Sequence, residues 1–251
     1  MLRQQRDLRI VQQLRARGPA SVHDLARELG VSASTVRRDL GRLDRDGELR
    51  RVYGGASPRA VPAEKPFPES LDTQREVKEA VAARAVELIR DDDVVLLDIG
   101  TTTLFMARRL HGRPLTIITS SLAVLDELRD DHAIQLVVLG GVVRRNYRSL
   151  VGALTEAALR VVCADRLFLS CTGIRRNGDV IDDTSIETPL KQAMLRASQS
   201  TVLLSRSGKF PGTGAVRVCS VADVDTVVTD AGSDEATLER VRESGGTVVF
   251  A

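Results

Sequence analysis

The sequence has no tryptophan, five phenylalanines and two tyrosines, so aromatic residues fill only 3% of its 251 positions. Aliphatic side chains must supply the packing, and aromatic stacking on bases cannot be a main device, which argues against a binder of single-stranded nucleic acid. Cysteine is also sparse: Cys163, Cys171 and Cys219 form no CxxC pair, and their odd number argues against a disulfide framework. No run approaches the roughly 18 apolar residues of a membrane span. The start, MLRQQRDLRIV, lacks the apolar stretch and cleavage site of an export signal. These absences lead us to expect a cytoplasmic protein with no membrane contact. Histidine is scarce too: His23, His111 and His132 lie in different segments, as surface residues would. With no metal cluster and no nucleophile–base pair in sight, neither a metal nor a cofactor is expected.

The charge that is present is unevenly placed. Residues 1–60 hold thirteen Lys and Arg against seven Asp and Glu, whereas the rest hold 23 against 27. One end suits a polyanion and the other does not. At the basic end, Ile10, Val11 and Leu14, then Val22, Leu25 and Leu29, then Val36, Leu40 and Leu43 recur at helical spacing. Ser21 and Ser32 stand where N-caps belong, and Gly18, Gly30 and Gly47 where helices stop. Three short helices are predicted, followed by a basic hairpin, GELRRVYGGA.

Pro58, Pro62, Pro66 and Pro68 crowd half of the eight prolines into one stretch, which predicts a linker over 58–70 between a domain at 1–57 and one at 71–251. Beyond it a helix is expected over 71–89. Apolar runs then alternate with helical segments: VVLLD, LTIIT, IQLVVLGG, RLFLS, TVLLS, DTVVT and TVVF. Continuous apolar strands between helices imply an open parallel sheet covered on both faces, hence an α/β domain.

On the third helix Val36, Leu40 and Leu43 share one face, while Ser34, Arg38, Gly41 and Arg45 lie opposite, flanked by Arg37 and Arg42. Arginine forks suit guanine edges or phosphates, and hydroxyls near a helix start reach bases or backbone. The candidate DNA contacts are therefore Ser32, Ser34, Thr35, Arg37, Arg38 and Arg42, with Arg50, Arg51 and Tyr53 on the wing. In the second half Asp98 ends a buried strand and runs into Gly100, Thr101, Thr102 and Thr103 at a helix start, where backbone N–H groups and hydroxyls suit a phosphate. Ser120, Gly140, Gly141 and Lys209 follow other strand ends. Glu187 and Lys191 stand four apart on one helix with Pro189 in its first turn. If the strands are neighbours, their tips form one crevice with acceptors, donors and a cation.

The segment Val31-Ser32, Thr35-Val36-Arg37-Arg38-Asp39-Leu40, Leu43, Gly47, Leu49, Arg51 and Gly54-Gly55-Ala56 resembles the DNA-binding domain of the DeoR family of bacterial sugar-metabolism repressors. Asp98, Gly100 to Thr103, Thr119, Gly140-Gly141, Gly152, Asp165, Phe168, Gly173-Ile174, Glu187, Lys191, Lys209-Phe210 and Thr229-Asp230 extend the resemblance to that family's C-terminal domain. The resemblance implies a winged helix-turn-helix joined to an α/β domain similar to ribose-5-phosphate isomerase. It also implies a homodimer or higher oligomer on double-stranded operator DNA, controlled by a phosphorylated sugar or polyol. Three positions depart from the family: Tyr53 where His is usual, Ser120 where Asn is usual, and Arg206 where Asp is usual. The alternative is an enzyme. Asp98, Glu187 and Lys209 could serve an isomerase, and Asp-x-Gly-Thr-Thr occurs in sugar kinases of the actin-like fold, although there it opens the chain in a β-hairpin.

Overall fold

The computed structural model describes residues 3–45, 48–58, 66–212 and 214–251. The chain divides into two compact units, Met1–Ala63 and Glu64–Ala251. Gly47, expected to stop the third helix, and the expected linker residues 59–65 lie outside the described residues.

The first unit runs α1 (Arg3–Arg17), β1 (Ala20–Ser21), α2 (Val22–Leu29), α3 (Ala33–Arg45), β2 (Leu49–Val52) and β3 (Gly55–Pro58). Its boundaries follow from local chemistry. The Ser21 hydroxyl accepts the Asp24 N–H at 3.1 Å to start α2, and Gly30, left-handed at φ 64°, closes it. Ser32 caps α3 by accepting the Thr35 N–H at 3.2 Å. The predicted apolar stripes meet in one core, with Ile10, Leu14, Leu25, Val36, Leu40 and Leu49 buried. The strands pair antiparallel in the order β1-β3-β2, and Tyr53-Gly54 forms the turn between β2 and β3. Gly55 is where β3 crosses β1: a Cβ there would sit 2.2 Å from the Ala20 carbonyl oxygen.

The second unit begins with α4 (Phe67–Asp72) and α5 (Arg75–Val86), then β4 (Val94–Leu97), α6 (Thr101–Ala107), β5 (Leu115–Thr119), α7 (Leu122–Leu128) and β6 (Ile134–Val138). A hairpin of β7 (Val142–Arg144) and β8 (Ser149–Val151) leads to α8 (Ala153–Ala158) and β9 (Ala164–Ser170). After β10 (Gly173–Ile174) and β11 (Asp179–Asp182) come α9 (Thr188–Arg196), β12 (Ser198–Leu204), β13 (Val216–Ser220), β14 (Thr226–Thr229), α10 (Glu235–Glu243) and β15 (Thr247–Phe250). Seven of these strands form a wholly parallel sheet in the order β15-β14-β12-β9-β4-β5-β6. Alternate side chains serve opposite faces. Val95 and Leu97 pack with Ala82 and Phe105, and Leu96 packs with Leu169, Leu190 and Leu203. Among the described residues no helix is long and apolar enough to cross a membrane.

Two expectations need correction. Pro58 ends β3 rather than opening a linker, and the chain is helical again from Phe67, whose ring is 2% exposed against Leu104, Ala123 and the edge of Tyr147. Pro68 is tolerated because it falls in the first turn of α4. The helix expected over 71–89 is broken at Gln74, left-handed at φ 52°, so α4 and α5 are separate. The β7–β8 hairpin and the small antiparallel sheet β10-β11-β13 were not anticipated, because strands this short carry too little periodicity to register.

Because the Ala20 carbonyl leaves no room at Gly55, Gly55→Ala is expected to destabilise the first unit by about 1–3 kcal/mol. Urea unfolding followed by amide exchange on α2 and α3 checks this; an unchanged unfolding free energy would contradict the steric account.

Candidate functional site

In the first unit the exposed face of α3 is only partly the one expected. Arg37 and Arg38 are solvent-exposed, and the Ser32 hydroxyl lies 2.9 Å from those of both Ser34 and Thr35 at the helix start. Arg42 is turned elsewhere. It pairs with Asp7 at 2.6 Å and with Asp39 at 3.2 Å, and Arg6 meets Asp39 at 2.6 Å. Burial raises the Asp39 carboxyl pKa, but Arg6 and Arg42 outweigh it and hold the pKa below its ordinary value. The reason for the correction is electrostatic: a buried carboxylate on α3 recruits the neighbouring guanidinium to bind α3 to α1. Tyr53 at the wing tip is fully exposed. The Arg51 guanidinium lies over Gly41, where a Cβ would sit 3.7 Å from it, so the wing and the open face of α3 share one basic surface.

In the second unit the chain leaves β4 toward β5 and β6 on one side, and fills β9, β12, β14 and β15 on the other. The order reverses between β4 and β9, which is where open α/β sheets form a crevice beyond the strand ends. Asp98 sits there, wholly buried. One carboxylate oxygen accepts the Ser170 N–H at 2.9 Å and the Ser170 hydroxyl at 2.7 Å, and lies 3.1 Å from the Lys191 ammonium. Its other oxygen is buried with no hydrogen-bond partner among the described residues. Lys191, 3% exposed, also meets Asp182 at 2.7 Å and donates to the Ser170 carbonyl at 2.9 Å. Burial works against its charge, yet Asp182, Asp98 and Glu187 together raise its pKa well above that of an ordinary lysine. Lys209 donates to the next carbonyl, that of Cys171.

Glu187, just before α9, accepts from Arg144 on β7 and from the Ser149 hydroxyl on β8, the latter at 3.4 Å. Burial pushes its pKa up to about 7, although Lys191 and Arg144 pull it down. Ser120 follows β5, level with the end of β4, and its hydroxyl is buried without a hydrogen-bond partner among the described residues. The structure therefore brings Asp98, Lys191, Lys209 and Glu187 into one network. Gly100 belongs to the same corner, since its φ of 136° excludes most side chains and a Cβ would lie 3.4 Å from the Ser170 hydroxyl. Thr101 and Thr102 open α6 with N–H groups that have no acceptor within the helix.

Three of the expected residues make contacts inside the fold. The Thr103 hydroxyl is fully buried and donates to the Gly100 carbonyl at 3.0 Å, so it serves as an internal lock on the turn. Gly140 and Gly141 follow edge strand β6, and their contacts run to α8 and β8 instead. The Gly140 carbonyl accepts the Thr155 hydroxyl at 2.7 Å, and a Cβ on Gly141 would sit 2.2 Å from that hydroxyl oxygen. Ser170, Asp182 and Arg144 were missed. Ser170 left a faint signal as the polar residue at the C-terminal end of the run RLFLS; Asp182 and Arg144 reach the site only by tertiary contact. His23, His111 and His132 are all exposed, as expected.

Residues 6–59 match the family model described as the DeoR-like helix-turn-helix domain, and residues 73–231 that of the DeoR C terminal sensor domain. The chain is 30% identical over 229 residues to the L-fucose operon activator of Haemophilus influenzae, covering 90% of this chain and 91% of that protein. It is 31% identical over 233 residues to the transcriptional repressor AccR of Agrobacterium fabrum, covering 92% and 90%. Ribose 5-phosphate isomerase A from Methanocaldococcus jannaschii aligns over 54% of each chain at 18% identity, with a TM-score of 0.41.

The raised Glu187 pKa has a definite sign. Between about 4.5 and about 7 the native state keeps a proton that the unfolded chain has lost, so stability falls as pH rises through that window, by about 1.4 kcal/mol per pH unit. Urea unfolding of the full chain across that range should show this slope in the wild type and lose it in Glu187→Gln; equal slopes would remove Glu187 as its source.

Proposed function

Because the chain belongs to the DeoR family of transcriptional regulators, we propose that it is a repressor of carbohydrate-metabolism genes whose hold on its operator is set by a phosphorylated sugar or polyol. It is a DNA-binding regulator with a sensor domain, not an enzyme, as its relatives are. The observation that carries the sensor reading is the convergence of Asp98, Ser170, Lys191 and Lys209 at the point where the strand order reverses.

In this reading Arg37 and Arg38 enter the major groove, with Ser32, Ser34 and Thr35 at the helix start, while Arg51 and Tyr53 on the wing touch phosphates or the minor groove. Arg42 holds α3 in place. In the sensor, Gly100, Thr101 and Thr102 receive the phosphate, and Asp98, Ser120, Glu187, Lys191 and Lys209 face or orient the remaining polar groups. Repression is the sign named for AccR; the fucose regulator is named an activator, so the sign belongs to this proposal. A symmetric dimer or higher oligomer in the cytoplasm, with two reading helices on paired half-sites, completes the scheme. Effector binding changes operator affinity only by favouring one arrangement of the units over another.

Anisotropy titrations on an operator selected from random duplexes test the reader. Arg38→Ala should weaken binding and relax preference at one base position, whereas Arg51→Ala should weaken all sequences alike and lower the salt slope by about 1. Equal effects on every sequence from both variants would remove Arg38 as a base reader. A thermal-shift screen of the full chain against sugar and polyol phosphates tests the sensor, because a ligand at 100 times its Kd adds about 2.7 kcal/mol to native-state stability. Lys209→Ala should abolish the shift; no shift from any phosphate ester in the wild type would remove the sensor reading.

A further inference from the structure

Strand β12 ends at Leu204, and the chain continues through Ser205 and Arg206 into a short 3₁₀ turn, Ser207–Lys209. Asp230, just past β14, holds that turn: its carboxylate accepts the Ser207 N–H at 2.6 Å and the Ser207 hydroxyl at 2.7 Å. Both oxygens are thus engaged with Ser207. Arg206 lies among Asp230, Cys171 and Tyr147 but makes no ion pair among the described residues, and its Nε is buried with no hydrogen-bond partner. Its Nη1 lies over Gly208, where a Cβ would come within 3.1 Å. Lys209 donates to the Cys171 carbonyl, and among the described residues no carboxylate forms an ion pair with it.

The charges at the strand tips are therefore unevenly paired, since two carboxylates share Lys191 and a third is engaged with Ser207. Lys191 has Asp98 and Asp182, while among the described residues Arg206 and Lys209 have no carboxylate within ion-pair distance. Cys171 cannot supply the missing charge, because burial pushes its thiol pKa up and keeps it neutral. Two half-buried cations side by side repel each other and lose hydration, an arrangement that a bound anion relieves. The position of the pair matters as much as its charge. In the order β12-β9-β4, Arg206 lies two strands from the Gly100–Thr102 corner, about 10 Å away by strand spacing. That separation suits a short carbon chain bearing an acid at each end.

Resting on the reading of this crevice as an effector site, we infer that the effector carries a second acidic group besides its phosphate, and that Arg206 and Lys209 receive it. The ligand class is a phosphorylated sugar acid or a sugar bisphosphate. A monophosphate seated at Gly100–Thr102 would present only a hydroxyl to the two cations, leaving both charges unmatched.

The test compares matched ligands on the full-length protein by calorimetric titration: fructose 6-phosphate with fructose 1,6-bisphosphate, and glucose 6-phosphate with 6-phosphogluconate. In at least one pair the two-acid member should bind tenfold or more tightly than its partner. Arg206→Gln should bring that ratio close to one, and Arg206→Lys should keep most of it, with ligand-free melting temperatures reporting that the variants fold. Monophosphates that bind as tightly as their two-acid partners would overturn the inference and leave the sensor reading standing. A preference that survives Arg206→Gln would overturn the assignment to Arg206. Binding of none of the four at millimolar concentration would overturn the inference together with the reading beneath it.

Discussion

The sensor unit is organised around a lysine ammonium buried at the point where the strand order reverses. Lys191 reaches from α9 to Asp98 after β4, to Asp182 at the end of β11 and to the Ser170 carbonyl at the end of β9. Removing any charged member of such a group leaves a buried ion without its counter-ion, a change that typically costs 3–5 kcal/mol. The cluster therefore fixes the relative positions of three strand ends and one helix. Gly100 presses against Ser170, Glu187 opens α9 by engaging the β7–β8 hairpin, and Lys209 takes the carbonyl beside that of Ser170. In the effector reading proposed above, the groups around these strand ends are held in place before any ligand arrives. Among the described residues, an oxygen of Asp98, the Ser120 hydroxyl and the Arg206 Nε are buried without a hydrogen-bond partner, and in that reading they are among the groups left for a ligand.

The reading unit follows the same logic at smaller scale. Asp39, buried on α3, takes Arg6 from α1 and shares Arg42 with Asp7. One arginine of the basic helix is thereby spent on holding the helix in place, and Arg37 and Arg38 are left on the surface. A DNA-binding face is thus narrower than the count of its basic residues, because some of that charge balances carboxylates inside the protein.

Much of this was legible in the residues. The seven parallel strands stood out because each contains a short, largely apolar run, which in the inner five goes with burial of most of the strand, and the three N-terminal helices because Ser and Gly mark their ends. Asp98 and Lys209 stood out as charged groups at the ends of apolar runs, and Glu187 and Lys191 as an acid and a base four residues apart at a helix start. Thr103 and the Gly140-Gly141 pair turn out to make contacts inside the fold. A hydroxyl that satisfies its own turn and a glycine that admits a neighbouring helix have the same spelling as ligand-binding groups. The hairpin β7–β8 and strand β11, which carry Arg144 and Asp182, were invisible because three or four residues show no period.

The sequence by itself determined the two-part architecture, the α/β class of the larger part and the basic character of the smaller, since these depend on periodicity, capping and charge that act within a few residues. Only the tertiary structure decided which arginine faces outward, which carboxylates share Lys191 and which cations lack a partner. Those outcomes depend on groups far apart in the chain, such as Asp98, Asp182 and Lys191, meeting where water is excluded. There the strength of each interaction is set by what else is buried beside it, and no local pattern records that.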